Sequence, residues 1–108
     1  MSIEATSLIN ITPAQGKAMM EEDRTIILVD VRTEEEYTEE HITGALLLPV
    51  DELEGLAPIS IPDKQASYIV YCRTGNRSAI AAQILIHMGY QKIYDMGGIV
   101  DWPYETVK

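Results

Sequence analysis

The chain has 108 residues, 46% apolar and 23% charged, a composition of one globular domain rather than of a disordered segment. At this mass folding buries roughly 65% of the extended chain's surface, enough for a core without disulfide or metal staples. Seventeen acids against eight bases give a formal charge of −9, which repels nucleic acid and anionic lipid and argues against both as partners.

In chain order two periodicities alternate. "SLINIT" (7–12) reads as a short strand. Thr12, Pro13 and Gln15 form a capping box with proline in the first turn, so a helix is expected to run to Glu22. "TIILVDV" (25–31) is a continuous β-branched apolar run, the pattern of a parallel strand covered on both faces. Thr33 and Glu36 repeat the capping-box spacing and predict a helix over 34–40. "ALLLPV" (45–50) predicts a strand ended by Pro49, "DELEGL" (51–56) a short helix, and Pro58 with Pro62 a loop. "SYIVYC" (67–72) is a further apolar strand, and "NRSAIAAQILIHM" (76–88) a buried helix stopped at Gly89. "KIYDM" (92–96) is the last strand, followed by a short helical segment in "GGIVDWPYE". Strand and helix in alternation predict an α/β fold with a parallel sheet and helices on both faces. Ligands of such sheets bind beyond the C-terminal strand ends, where Asp30 and Cys72 both fall.

Nine acids and no Lys or Arg lie between Thr33 and Asp63. This reads as a solvated face, with a docking face for a basic protein as the alternative. The lone cysteine, Cys72, cannot form an internal disulfide, which fits a reducing compartment. The first twenty residues hold neither a basic start nor an apolar run, so no signal peptide or membrane span is expected, and the location expected is cytoplasmic. One domain over residues 1–108 is expected, without repeat or linker.

A lone cysteine is usually a small buried hydrophobe. Cys72 stands in a different context, at the end of a strand and a few residues before a helix. The amides from Arg73 to Arg77 can curve around its sulfur, the helix aims its positive end there, and two arginines flank it. All three favour thiolate over thiol. Gly75 lets the loop close tightly. Arg77 is placed to pair with Asp30 at the neighbouring strand end and hold the loop, while Arg73 faces the mouth and attracts anions to an acidic protein.

"CRTGNRS" (72–78) resembles the active-site loop of the rhodanese family of sulfurtransferases, Cys-Arg-x-Gly-x-Arg-Ser/Thr in its bacterial single-domain members. "ILVDVRTEEEYTEEHITGALLLP" (27–49) is similar to the family's upstream signature and "MGYQKIYDMGGIVDW" (88–102) to its closing segment. The resemblance spans about residues 12–102. It implies an open α/β sheet of about five mostly parallel strands flanked by helices. It also implies a cycle in which Cys72 takes sulfane sulfur from a donor such as thiosulfate or a persulfide and passes it to cyanide, a thiol or a partner protein. Cys72 is then the nucleophile, and Arg73, Thr74, Gly75, Asn76, Arg77 and Ser78 form the substrate-binding ring, with Asp30 and Arg32 as structural support. The chain departs from the pattern at Glu40, where glycine is common, and at Thr43, often proline. An ionised thiol needs no general base, and no cofactor or metal is expected.

Two rivals remain. Cell-cycle phosphatases share the architecture, but their loop resembles Cys, five residues, Arg, whereas four residues separate Cys72 from Arg77 here and none is an Asp that could act as general acid. The ring is thus sized for one sulfur rather than a phosphoryl group. The other rival is a sulfur-relay or interaction module. With no second cysteine the chain cannot resolve its own persulfide, so the acceptor is external in either case. His41 reads as structural, His87 as a helix C-terminal charge, Met19 and Met20 as packing, and Trp102 as core cover near the mouth. Arg32 either reaches the mouth or pairs with the acidic helix after it, and Gly97-Gly98 is read as a tight turn near the loop.

Overall fold

The computed structural model describes residues 7–108. The sequence reading of a leaderless start falls partly on residues 1–6, which lie outside the described residues. Strands β1 (Ser7–Asn10), β2 (Ile27–Asp30), β4 (Leu46–Leu47), β5 (Ser67–Cys72) and β6 (Lys92–Gly98) form one sheet in the order β1-β6-β5-β2-β4. Every pairing in it is parallel. Helices α1 (Pro13–Glu22), α2 (Glu34–Glu39), α3 (Leu53–Ser60) and α4 (Asn76–His87) connect the strands. A second, antiparallel pair joins β3 (His41–Ile42) to β7 (Thr106–Val107). Among the described residues no helix is long and apolar enough to cross a membrane.

The period-2 alternation of β5 divides the core. Tyr68, Val70 and Cys72 join the cluster with Leu53 and Ala57 of α3 and Ala81, Ala82 and Leu85 of α4. Ile69 and Tyr71 point to the other face, toward Met19 and Met20 of α1 and Tyr37 of α2. The central strands β2 and β5 are therefore covered on both sides, which is why the runs at 25–31 and 67–72 show no polar alternation. Both capping boxes form as the spacing predicts, on Thr12 with Gln15 and on Thr33 with Glu36.

Three local expectations change. Pro58 lies inside α3 instead of marking a loop. A proline there forfeits one helical hydrogen bond, but Leu53, Ala57 and Ile61 are all buried at four-residue spacing, and that apolar anchor outweighs the lost bond. Gly97-Gly98 belongs to β6 and not to a turn: the pairing with β5 shifts register after Val70, so that Tyr71 faces Gly97 and Cys72 faces Gly98. This bulge adds one residue to β6 beside the catalytic-loop candidate. Finally, the segment after Trp102 folds back as β7 onto β3, a pair too short to leave a periodicity in sequence.

Candidate active site

Cys72 is the last residue of β5 and is 1% exposed. Its Sγ accepts a hydrogen bond from the Gly75 amide at 2.9 Å. Gly75 has a φ of +109°, in the left-handed region where a side chain would be strained, and this lets the chain reverse and return its amide to the sulfur. Helix α4 begins at the next residue, so its positive end lies at the loop. The Ser78 hydroxyl donates to the Gly75 carbonyl at 3.0 Å and the Ala79 amide donates to the same oxygen at 3.2 Å, which fixes the peptide in place. The sequence reading put the amides from Arg73 to Arg77 around the sulfur; the bond found on Sγ comes from Gly75.

The loop is held from outside by β6. The Val100 amide donates to the Arg73 carbonyl at 3.3 Å. A Cβ at Gly98 would fall on that carbonyl oxygen and 2.8 Å from Thr74 Cα. Both obstacles are backbone and cannot swing aside. Gly98→Ala is expected to displace the loop by several tenths of an ångström and lower any turnover at Cys72 by about 100-fold, since misplacement on that scale is severe in a preorganised site. Turnover of the variant within twofold of the parent would contradict the close packing.

The pairing expected between Arg77 and Asp30 does not occur. Asp30 is fully buried and its carboxylate is already saturated: it accepts from Arg32 Nη2 at 2.7 Å, Arg32 Nε at 3.0 Å, the Arg32 amide at 2.9 Å and the Tyr71 hydroxyl at 2.7 Å. Arg77 instead grips Glu36 through two bonds, of 2.6 and 2.9 Å. Glu36 therefore does two jobs, capping α2 and tying it to the first turn of α4. The tie joins residues 41 apart in sequence, and nothing in the local pattern signals it. Tyr71, also missed, uses its hydroxyl to bridge Asp30 to the Ile42 amide, which donates to it at 3.1 Å. Burial first, and the Asp30 carboxylate second, push the Tyr71 phenol upward, so it stays a neutral donor.

The Arg77 hydrogen bonds hold the Glu36 carboxyl down at about 2, from an ordinary 4.5. A lowered carboxylate adds stability that is complete above its unfolded value and fades as pH falls toward the folded one. The pair is partly solvated, so its worth is modest, about 1 kcal/mol. Glu36→Gln should lower the urea midpoint at pH 7 and converge with the parent as the pH is taken from 4.5 to 2. A gap that widens on acidification would refute the assignment.

Beside Arg73 opens a cleft of about 390 Å³. Arg32, Glu39 and Glu40 line one part of it, Trp102, Pro103 and Tyr104 another. Cys72 is not in its lining, whereas the adjoining Arg73 is. Of the two roles left open for it, Arg32 borders the mouth but forms no ion pair with the acidic helix; its charge is taken by Asp30, and it reaches the end of α2 only through the Glu40 carbonyl. Thr74 and Asn76 are exposed on the loop. His41 stacks on Tyr37 with ring centroids 3.7 Å apart and places Nδ1 at 2.7 Å from the Tyr37 carbonyl, the geometry of a structural donor. His87 lies on the far end of α4, with Nδ1 at 2.9 Å from the Gln83 carbonyl. Among the described residues no group of three or more His, Cys, Asp or Glu could hold a metal ion.

A parallel sheet with helices on both faces and a buried cysteine at a strand end before the next helix defines a class of open α/β domains. The rhodanese-like domain model matches residues 12–104, and the chain belongs to the rhodanese-like family. It is 38% identical over 80 residues to thiosulfate sulfurtransferase PspE of Escherichia coli (strain K12), covering 74% of this chain and 77% of that one. It is 36% identical over 80 residues to thiosulfate sulfurtransferase GlpE of Coxiella burnetii (strain RSA 331 / Henzerling II), covering 73% of each. Among solved structures, a rhodanese with anions from E. coli superposes with a TM-score of 0.72 at 36% identity, over 77% of this chain and 98% of that one. A rhodanese-like domain protein from Staphylococcus aureus gives 0.75 at 30%, over 90% and 93%.

Proposed function

We propose that the protein is a thiosulfate sulfurtransferase that carries sulfur as a persulfide on Cys72. The Cys72 thiolate attacks the outer sulfur of thiosulfate; the S–S bond of the donor breaks and sulfite leaves with the bonding pair. The new terminal sulfur, still anionic, is then attacked by cyanide or a thiolate. The S–S bond to Cys72 breaks, the product is thiocyanate or a small persulfide, and the thiolate is regenerated. The transferred sulfane sulfur carries its own oxidising equivalents from donor to acceptor, so the cycle calls for no external oxidant or reductant. The observation that carries this reading is the Gly75 amide aimed at Cys72 Sγ, at 2.9 Å, in front of the α4 N-terminus. Donors fixed before the reaction stabilise a sulfur anion without reorganisation, as an oxyanion hole does for oxygen.

The remaining loop residues divide the work. Arg73, exposed at the mouth, draws anionic donors toward a chain of charge −9. Thr74 and Asn76 supply amides and shape the rim. Ser78 and Arg77 hold the loop, the first through Gly75 and the second through Glu36. Asp30 and Arg32 support it from β2. The burial of Cys72 favours slender sulfur compounds over bulky ones. With no second cysteine the acceptor comes from outside, and a cytoplasmic setting, rich in thiols, supplies it.

Thiosulfate alone should add the mass of one sulfur atom to the protein, and subsequent cyanide should release thiocyanate. Turnover of an aryl phosphate with no sulfur uptake would overturn the proposal in favour of phosphoryl chemistry. Failure to gain sulfur from either thiosulfate or a persulfide donor would reduce the domain to an interaction module.

A further inference from the structure

The cleft beside Arg73 has a charge pattern that thiosulfate does not require. Of its acids, Glu36 is neutralised by Arg77. Glu39 and Glu40 have no ion-pair partner among the described residues, Glu40 accepting a hydrogen bond from the Thr106 hydroxyl at 2.6 Å. Beside Arg32 and Arg73, the cleft therefore also holds two carboxylates without an ion-pair partner. They suit an ammonium group, and the Trp102 ring, which also lines the cleft, suits it as well.

The cleft also offers a place for an anion. Arg32 is only 5% exposed, yet two of its three guanidinium nitrogens are used and the third is not. Nε and Nη2 bind Asp30, and Nη2 also donates to the Glu40 carbonyl at 2.6 Å; Nη1 has no partner among the described residues. Since no buried side-chain nitrogen or oxygen there lacks a partner, Nη1 must reach open space. Arg32 borders a second groove, near Pro49 and Ile80, but that groove contains neither Glu40 nor Arg73. The Glu40 carbonyl that Nη2 reaches belongs to a residue that lines the cleft together with Arg32 and Arg73.

We infer that the cleft is an acceptor subsite for a small zwitterionic thiol of the α-amino-acid kind, its carboxylate on Arg32 Nη1 and Arg73, its ammonium on Glu39 and Glu40. The inference rests on the sulfurtransferase reading. A cavity of about 390 Å³ has the size of a small-molecule site, not of a protein groove. In the transfer the acceptor thiolate attacks the outer sulfur of the Cys72 persulfide, the enzyme's S–S bond breaks, and the acceptor leaves as its own persulfide while Cys72 recovers its thiolate.

The test begins with protein loaded by thiosulfate, freed of excess donor, and shown by mass to carry one extra sulfur. Discharge is then followed with cysteine, cysteamine, 3-mercaptopropionate and 2-mercaptoethanol, each rate expressed per thiolate. Cysteine should exceed 2-mercaptoethanol by about tenfold, the worth of one or two charge-assisted hydrogen bonds at a partly solvated site, and should exceed both singly charged thiols. Glu39→Lys should lower the ratio of cysteine to 3-mercaptopropionate rates; Glu39→Gln should lower it less. Glu39 is exposed, so neither variant threatens the fold. If loaded protein is discharged by cyanide but the four thiols react alike, or if Glu39→Lys leaves the ratio unmoved, the acceptor inference is wrong and the sulfurtransferase reading stands. If thiosulfate and a persulfide donor both fail to load sulfur, the two fall together.

Discussion

Replacing Cys72 with serine is expected to lower thiocyanate formation by more than about 1,000-fold, because removing a covalent nucleophile removes the route rather than slowing it. Serine cannot hold transferred sulfur in an S–S bond. It can keep the geometry: Cys72 is buried, and a hydroxyl in its place still accepts from the Gly75 amide. The unfolding midpoint should therefore stay close to that of the parent while sulfur uptake disappears. Residual activity above a few per cent would move the chemistry to some other atom. Loss of both activity and stability would show the cysteine to be a core residue first, the ordinary fate of a lone buried thiol.

The second large effect concerns stability. Asp30→Ala should cost about 3–5 kcal/mol, since it leaves a nearly buried Arg32 without its counter-charge. It also strips the Tyr71 hydroxyl of its acceptor. Against a typical total of about 5–15 kcal/mol, such a loss brings the domain close to unfolding at ambient temperature. The double change Asp30→Asn with Arg32→Met tests the cause. Asparagine still accepts from Tyr71, and methionine removes the stranded charge, so the pair should lose clearly less than Asp30→Ala alone. Equal losses in urea titrations would show that the ion pair is not what Asp30 provides.

The site is rigid for reasons spread over three elements. Gly75 turns the amide onto sulfur, Gly98 lets β6 press against the back of the loop, and the Glu36–Arg77 pair fixes α4 to α2. The acidic stretch from Thr33 to Asp63 acquires distinct roles in this arrangement. Glu36 is structural, Glu39 and Glu40 border the cleft, and Asp51, Glu52 and Glu54 are exposed and outside its lining.

By itself the sequence determined the local pieces. Capping boxes, β-branched runs and the Cys-Arg-x-Gly-x-Arg loop each act over a few residues, so spacing alone fixes α1, α2, β2, β5 and the position of Cys72 at a strand end. The same spacing tied the chain to its family. The tertiary structure decided every partnership across the chain. Arg77 chose Glu36 over Asp30 because Asp30 was already taken by its neighbour Arg32 and by Tyr71. Pro58 stayed helical because Leu53 and Ala57 are anchored in the core. Pairing of β7 with β3 brought Thr106 to the cleft, which Trp102, Pro103 and Tyr104 before it also line. These contacts bring together residues tens of positions apart, and which of several competing partners a charge accepts depends on who is already bonded, a fact that exists only once the chain is folded.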